Sequence, residues 1–127
     1  MTDWVLDASA VLALMGAEPG AETVVAALPS AVLASVNAAE VVTKLIREGA
    51  APDAARIILI ALGCPILPID ADLGLRAGAL SALTRDRGLS LGDRCCLALA
   101  EREGLTALTA DHAWSALGLP IKVAMIR

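Results

Sequence analysis

Four acidic residues lie at points of the sequence where an α/β protein would bring them into one pocket. Each follows a strand-like segment or falls in the first turn of a helix-like one; they are Asp7, Glu40, Asp93 and Asp111. Converging carboxylates cannot all stay ionised without a counter-charge, because like charges in one cavity repel. Divalent cations such as Mg²⁺ and Mn²⁺ prefer oxygen ligands and supply that charge. The pattern therefore predicts a metal site at these four acids.

A hard cation held by carboxylates can promote hydrolysis of a phosphodiester bond. It lowers the pKa of a water molecule and orients it for in-line attack on phosphorus, and a second cation about 3.5–4 Å away stabilises the leaving oxygen. This chemistry needs no side-chain nucleophile, and the sequence offers none, since its cysteines have no nearby histidine. We interpret the only histidine, His112, as a solvent-facing residue in preference to a general base.

Helix capping is a simpler explanation for each acid taken alone. Residues 37–40 and 90–93 resemble capping boxes, Asp111 is suited to cap the segment that follows it, and Ser9 to cap the first helix. Asp7 is different, because it follows apolar residues typical of a buried strand, where an unpaired charge is costly. Capping explains single acids, but it does not explain four of them at strand-to-helix junctions.

The placement of these acids depends on short strands that alternate with helices. We predict strands at residues 5–6, 31–36, 65–69, 107–109 and 122–125. We predict helices, delimited by prolines and glycines, at residues 9–15, 21–28, 37–48, 52–62, 70–84, 91–103 and 112–116. This alternation predicts a parallel sheet covered on both faces, with its site at the carboxyl ends of strands. Asp7 and Asp111 fall at such ends, whereas Glu40 and Asp93 fall in first turns of helices.

Length and composition indicate one domain with apolar surface to cover. The 127 residues fit a single domain that spans residues 1–127. Hydrophobic residues make up 57% of the chain, and the mean hydropathy of +0.72 is high for a soluble protein of this size. We expect the excess to be buried in a homodimer or against a partner. The predicted helix at residues 52–62 is apolar on more than one face, so we expect Ile58 or Ile60 near a dimer interface.

Charge, cysteine content and apolar runs exclude several classes of protein. No run approaches the roughly 18 apolar residues of a membrane span, and the N-terminus lacks the basic region of a signal peptide. We therefore expect a cytoplasmic protein whose three cysteines are core residues and form no disulfide framework. The net charge of −4 argues against bulk electrostatic binding to nucleic acid. A bound cation would reverse the sign locally.

Four segments resemble, in order, the signature segments of PIN-domain ribonucleases, and most closely those of VapC-type toxins from bacterial toxin–antitoxin pairs. The order and spacing agree over nearly the whole chain. The segments are VLDASA at residues 5–10, VNAAEVV at 36–42, LSLGDR at 89–94 and LTAD at 108–111, the last followed by Trp114.

This resemblance implies a three-layer α/β/α sandwich around a parallel sheet of about five strands. It also implies an endoribonuclease that cleaves single-stranded RNA with Mg²⁺ or Mn²⁺, forms homodimers and is held inactive by a cognate antitoxin. The four acids would bind the metal, and Ser9, Asn37 and Thr109 would support them with polar contacts. Gly92 departs from the family, in which a slightly larger residue is common, and this affects only the local helix geometry.

Basic residues near the acids have two interpretations that stay open. Glu40, Lys44 and Arg47 fall on one face of a predicted helix. Lys44 either forms an ordinary ion pair with Glu40 or lies with Arg47 along the phosphate track of an RNA. Arg94, beside Asp93, is also placed to contact phosphate.

Two alternative functions belong to other classes. The first is a catalytically idle binding module that keeps the fold for a partner, against which the four intact acids argue. The second is a phosphoacceptor signalling domain, which needs an acceptor aspartate at the end of a central strand. Asp53 fits that role poorly, because it follows Pro52 at the start of a predicted helix. The RNA target and the cleavage sequence cannot be read from the chain.

Overall fold

Five short parallel strands form a single sheet. The structure, a computed structural model, describes residues 1–127. The strands are β1 (Trp4–Leu6), β2 (Ala31–Ala34), β3 (Ile66–Leu67), β4 (Thr106–Thr109) and β5 (Val123–Met125). All neighbouring pairs are parallel in the order β3-β2-β1-β4-β5, so the first strand of the chain lies in the middle. The predicted parallel sheet of about five strands is confirmed.

Seven α-helices and three short 3-10 turns connect the strands. The helices are α1 (Ala8–Met15), α2 (Ala21–Ala27), α3 (Ser35–Arg47), α4 (Pro52–Ile60), α5 (Ala71–Ala79), α6 (Ser81–Thr84) and α7 (Leu91–Glu103). The 3-10 turns are Leu28–Ser30, Arg85–Arg87 and His112–Trp114. None of the helices has the length and apolar character that crossing a bilayer requires.

The sheet separates two hydrophobic cores of equal size, each with 14 buried residues. Because side chains alternate along a strand, Val5 belongs to one core and Leu6 to the other, and Ala107 and Leu108 divide in the same way. Helices α5 and α7 cover the first face, and α1 to α4 supply the second core. The structure is therefore the expected three-layer α/β/α sandwich.

Helix α7 lies along the middle of the first face and has clear start and stop signals. Ser90 and Asp93 form a capping box, in which each side chain accepts a hydrogen bond from the other residue's backbone N–H, at 3.2 and 2.9 Å. Gly104 ends the helix in the left-handed conformation. Residues 95–100 are all buried, so the packing of this helix fixes the position of its first turn.

The structure corrects the predicted start of α3. The sequence predicts a strand over residues 31–36 and a helix from Asn37, but β2 ends at Ala34 and α3 begins at Ser35. The Ser35 hydroxyl accepts a hydrogen bond from the backbone N–H of Ile69 at 3.1 Å, where a longer sheet would have a ladder bond. Tertiary packing thus overrides the strand propensity of the β-branched Val36.

Other predicted boundaries differ less. The helix predicted at residues 70–84 is interrupted at Leu80, which separates α5 from α6. The strand predicted at 65–69 pairs only at Ile66–Leu67, because prolines flank it and proline has no N–H to donate. Several ends shift by one or two residues: the first helix begins at Ala8, and the segments predicted to end at 28, 48, 62 and 116 end at Ala27, Arg47, Ile60 and Trp114.

The three cysteines are free, as the absence of a disulfide framework predicts. Cys95 and Cys96 are buried in α7, and Cys64 is half-buried. Burial raises the pKa of the Cys96 thiol well above its ordinary value, and the nearby acids raise it further. The thiol therefore stays protonated at neutral pH.

Candidate functional site

The candidate site lies at the carboxyl ends of β1 and β4. Strands β2 and β3 lie on one side of β1, and β4 and β5 lie on the other, so the chain crosses β1 between β3 and β4. Open α/β sheets form their ligand crevices at this kind of reversal. Asp7 directly follows β1, and Asp111 follows β4 by two residues. The topology therefore places two of the predicted acids at the reversal point.

Asp7 is a buried carboxylate that does not cap its helix. It occupies the N-cap position of α1, but its side chain accepts no capping hydrogen bond and is only 3% exposed. Its Oδ2 accepts hydrogen bonds from Ser9 Oγ at 2.6 Å and Thr109 Oγ1 at 2.9 Å. The expectation that Ser9 caps α1 is therefore wrong, because its hydroxyl is used by Asp7.

Ser9 and Thr109 also connect the first acid to the loop after β4. Their hydroxyl oxygens are 3.1 Å apart. Ser9 Oγ accepts from the backbone N–H of Ala110 at 2.9 Å, and Thr109 Oγ1 accepts from that of Asp111 at 3.0 Å. The two hydroxyls thus link the backbone on both sides of the site and fix the loop that bears Asp111.

Glu40 reaches the site from α3 with the help of Asn37. Asn37 is fully buried, and its Nδ2 donates to Glu40 Oε1 at 2.8 Å and to the Gly92 carbonyl oxygen at 3.0 Å. Since α3 begins at Ser35, Glu40 is its sixth residue, and the prediction that it lies in the first turn is wrong. Asn37 Oδ1 is buried without a hydrogen-bond partner.

Asp93 and Asp111 have the capping roles that the sequence allows. Asp93 completes the capping box at the start of α7. Asp111 Oδ1 accepts from the backbone N–H of Ala113 at 2.9 Å and caps the 3-10 turn. In all four acids, the hydrogen bonds go to a single carboxyl oxygen. The other oxygen of each remains available to a ligand.

The acids interact electrostatically as one group. Burial raises the pKa of Asp7 to about 6, the hydrogen bonds of Ser9 and Thr109 lower it, and the charges of Asp93 and Glu40 raise it further. Burial also raises the pKa of Glu40 and of Asp93, and in each the charge of another acid adds to the rise. For Asp93 that neighbour is Asp111, while Arg94 opposes the shift.

The donor set fits a hard divalent cation, although the side chains do not converge into a coordination shell. No group of three or more Asp, Glu, His or Cys side chains is close enough to hold a metal ion as the side chains stand. The donors are nevertheless of the kind that hard divalent cations prefer: all are oxygens, each acid has one oxygen without a hydrogen bond, and no cation is paired with the buried Asp7.

A groove beside Glu40 carries two of the predicted substrate-binding residues. Lys44 pairs with Glu48 at 3.5 Å and not with Glu40, so the alternative of a Glu40–Lys44 pair is wrong. The groove has a volume of about 440 Å³ and runs between α1 and α3. Its lining includes Ala8, Leu12, Val36, Ala39, Glu40, Thr43, Lys44 and Arg47. The α1 wall was missed from the sequence, because Ala8 and Leu12 are apolar and have the pattern of ordinary core residues.

Two other features are the side chain of Arg94 and a cavity at the opposite edge of the sheet. The guanidinium of Arg94 donates a hydrogen bond to the Ala77 carbonyl oxygen in α5 at 3.0 Å. The side chain that was predicted to contact phosphate is therefore bonded to a neighbouring helix. A second cavity, of about 490 Å³, is lined by residues at the amino ends of strands, among them Thr2 and Pro65. Glu103 is the only charged residue in its lining.

Comparison with known proteins identifies one family. The family model described as "PIN domain" matches residues 4–119. No curated protein matches the chain.

Several solved structures share the fold. A toxin–antitoxin complex from Klebsiella pneumoniae is 21% identical, with 98% of each chain covered and a TM-score of 0.76. DNA-bound VapBC from Salmonella typhimurium is 14% identical over the whole of both chains, with a TM-score of 0.77. VapC20 from Mycobacterium tuberculosis, a toxin that cleaves the sarcin–ricin loop, is 22% identical over 92% of this chain and 96% of its own, with a TM-score of 0.74.

Acidification is expected to stabilise the metal-free protein through Asp7. The pKa of Asp7 is about 6 in the folded chain against an ordinary 3.8, so the fold binds this proton more tightly than the unfolded chain does. The stability that this tighter proton binding provides is lost as pH rises from about 4 to about 6, and the total loss is at most about 3 kcal/mol. Between pH 4 and pH 6, the contribution of Asp7 to the free energy of unfolding should fall with rising pH.

Urea unfolding in EDTA from pH 4 to pH 8 measures this effect. Asp7→Asn should be more stable than wild type at pH 7 and should lose this part of the pH dependence. Asp3→Asn removes an exposed carboxylate as a matched control and should behave like wild type. Identical pH profiles for wild type and Asp7→Asn would contradict the assignment.

Proposed function

Because the chain belongs to the PIN domain family, we propose that it is a metal-dependent endoribonuclease that hydrolyses phosphodiester bonds of single-stranded RNA. The observation that carries this proposal is the buried carboxylate of Asp7, which is held by two hydroxyls, is acted on by the charges of Asp93 and Glu40, and has no cationic partner. Ionisation of such a group costs stability, and a bound cation would offset that cost.

In this proposal, Asp7, Glu40, Asp93 and Asp111 hold Mg²⁺ or Mn²⁺. A bound divalent cation would lower the pKa of the attacking water and neutralise charge that develops at the scissile phosphate. Ser9 and Thr109 hold Asp7 through one carboxyl oxygen and leave the other without a hydrogen bond. Asn37 holds Glu40 in the same way from α3.

The groove between α1 and α3 supplies the binding surface for RNA. Its apolar floor is suited to the face of a base, and Lys44 and Arg47 add positive charge near Glu40. The chain has no Phe or Tyr, and Trp114 is only 1% exposed, so stacking on aromatic residues contributes little. Electrostatic contacts with phosphate are therefore the main source of affinity in this proposal.

The biological role proposed is that of a toxin controlled by an antitoxin in the cytoplasm. The structural relatives from Klebsiella pneumoniae and Salmonella typhimurium are toxin–antitoxin complexes, and VapC20 is a toxin that cleaves RNA. Those relatives support a cognate antitoxin as the protein partner. An idle binding module with the same fold is the alternative, and a nuclease assay distinguishes the two. The phosphoacceptor alternative gains no support from the family assignment.

Catalysis is expected to depend on the metal and on two of the acids. Purified protein should cut single-stranded RNA in Mg²⁺ or Mn²⁺, stop in EDTA, and lose at least about a hundredfold in rate in Asp7→Asn or Asp93→Asn. Both substitutions keep the shape of the side chain and can still accept its hydrogen bonds, so folding should survive. Cleavage at full rate in EDTA would rule out the metal mechanism.

The groove predicts a separate effect on RNA binding. Replacing Lys44 and Arg47 by Gln should weaken RNA binding and reduce its dependence on salt concentration, because fewer phosphate contacts release counterions. Mn²⁺ affinity should stay unchanged in this double variant. Arg56→Gln combined with Lys122→Gln, both at exposed positions, provides a matched loss of two positive charges. Equal RNA affinity for the wild type and the groove variant would remove these residues from the proposal.

The apolar surface of α4 supports the proposed homodimer. Ile57, Ile58 and Ile60 are 64%, 44% and 52% exposed, which is a large apolar surface for one helix. Light scattering at tens of micromolar should give the mass of two chains, and Ile60→Lys should give that of one. Leu75→Lys, at a 75% exposed position of α5, is the matched control. A monomeric wild type would contradict the homodimer.

A further inference from the structure

Gly92 lies directly against the carboxyl group of Glu40. It is buried at the second position of α7, where a Cβ would lie 2.6 Å from both Cδ and Oε2 of Glu40. The three atoms nearest to that Cβ position all belong to this carboxyl group. A Cβ contact under 3.0 Å essentially never occurs. The carboxylate therefore occupies space that any residue other than glycine would fill.

The backbone does not require glycine at this position. Six glycines of the chain have positive φ, and Gly92 is not one of them. The capping box at Ser90 and Asp93 is complete, so the local helix geometry is regular. Alanine is favoured over glycine inside helices by about 0.5–1 kcal/mol. The requirement at position 92 is therefore one of space.

Asn37 holds the carboxylate of Glu40 against Gly92. Its Nδ2 donates both to Glu40 Oε1 and to the carbonyl oxygen of Gly92, so one amide group connects the two residues. The amide thereby fixes the distance between the Glu40 carboxyl group and the first turn of α7, which also bears Asp93. A side chain at position 92 would push the carboxylate away from this arrangement.

We propose that Gly92 is a positioning residue, and that the missing side chain sets the place of Glu40 relative to the other three acids. The inference rests on the proposed function, because it concerns Glu40 as a metal ligand. The Glu40 side chain is flexible, so an alanine at position 92 displaces the carboxylate and leaves the fold intact. Metal affinity, and not stability, is the property that position 92 controls.

Mn²⁺ titration by electron paramagnetic resonance, together with thermal melts in EDTA, tests this role. Gly92→Ala should bind Mn²⁺ about tenfold to a hundredfold more weakly than wild type, the range for residues that orient a ligand. Its metal-free melting temperature should equal or exceed that of wild type. Gly74→Ala changes an exposed helical glycine of α5 with nothing within 4 Å, and should leave Mn²⁺ affinity unchanged.

A double-mutant comparison shows whether the effect acts through Glu40. In a Glu40→Gln background, Gly92→Ala should cause little further loss of Mn²⁺ affinity. If Gly92→Ala acted through the helix and independently of Glu40, its loss of affinity would be the same in both backgrounds. A crystal structure of metal-free Gly92→Ala should show the Glu40 carboxyl group displaced from α7. An unmoved carboxyl group would overturn the proposal without reference to any metal.

The outcomes separate this proposal from the proposed function. If wild type binds no Mn²⁺ at the acids, the metal-dependent function fails and this role fails with it. If wild type and Gly92→Ala bind Mn²⁺ equally, while Asp93→Asn binds more weakly, only the role of Gly92 is overturned.

Discussion

The burial of one carboxylate at the centre of the sheet is the constraint on which the site depends. An ionised Asp7 removed from water is costly unless hydrogen bonds and opposite charge compensate. The hydroxyls of Ser9 and Thr109 supply the hydrogen bonds, and they come from α1 and β4. Both elements reach Asp7 because β1 lies in the middle of the sheet, next to β4. The strand order thus brings both hydroxyls within hydrogen-bonding distance of the buried acid.

Capping and metal binding are compatible roles for the same acid. One oxygen of Asp93 accepts a hydrogen bond from the backbone N–H of Ser90, and one oxygen of Asp111 accepts a hydrogen bond from that of Ala113. Each hydrogen bond orients the carboxyl group and leaves the second oxygen free. The partial positive charge at the start of α7 also favours an anion there. A small domain can in this way hold several repelling carboxylates without a dedicated cation-binding loop.

Sequence reasoning predicted what depends on local pattern and missed what depends on packing. Alternating apolar strands and helices predicted the parallel sheet, and the capping signal at Ser90 and Asp93 predicted the start of α7. The start of α3 was wrong, because the bond from Ile69 to Ser35 links residues far apart in sequence. The contact between Gly92 and Glu40 was unpredictable for the same reason, since 52 residues separate them.

The most direct test of the metal site is a crystal structure grown with saturating Mn²⁺, with anomalous scattering measured at the manganese edge. We expect an anomalous peak between the carboxyl groups of Asp7 and Asp93, with at least one coordinating oxygen at about 2.0–2.2 Å. Asp7 should bind through the oxygen that Ser9 and Thr109 leave free. A well-ordered site without a peak, in which the acids keep only their local hydrogen bonds, would contradict it.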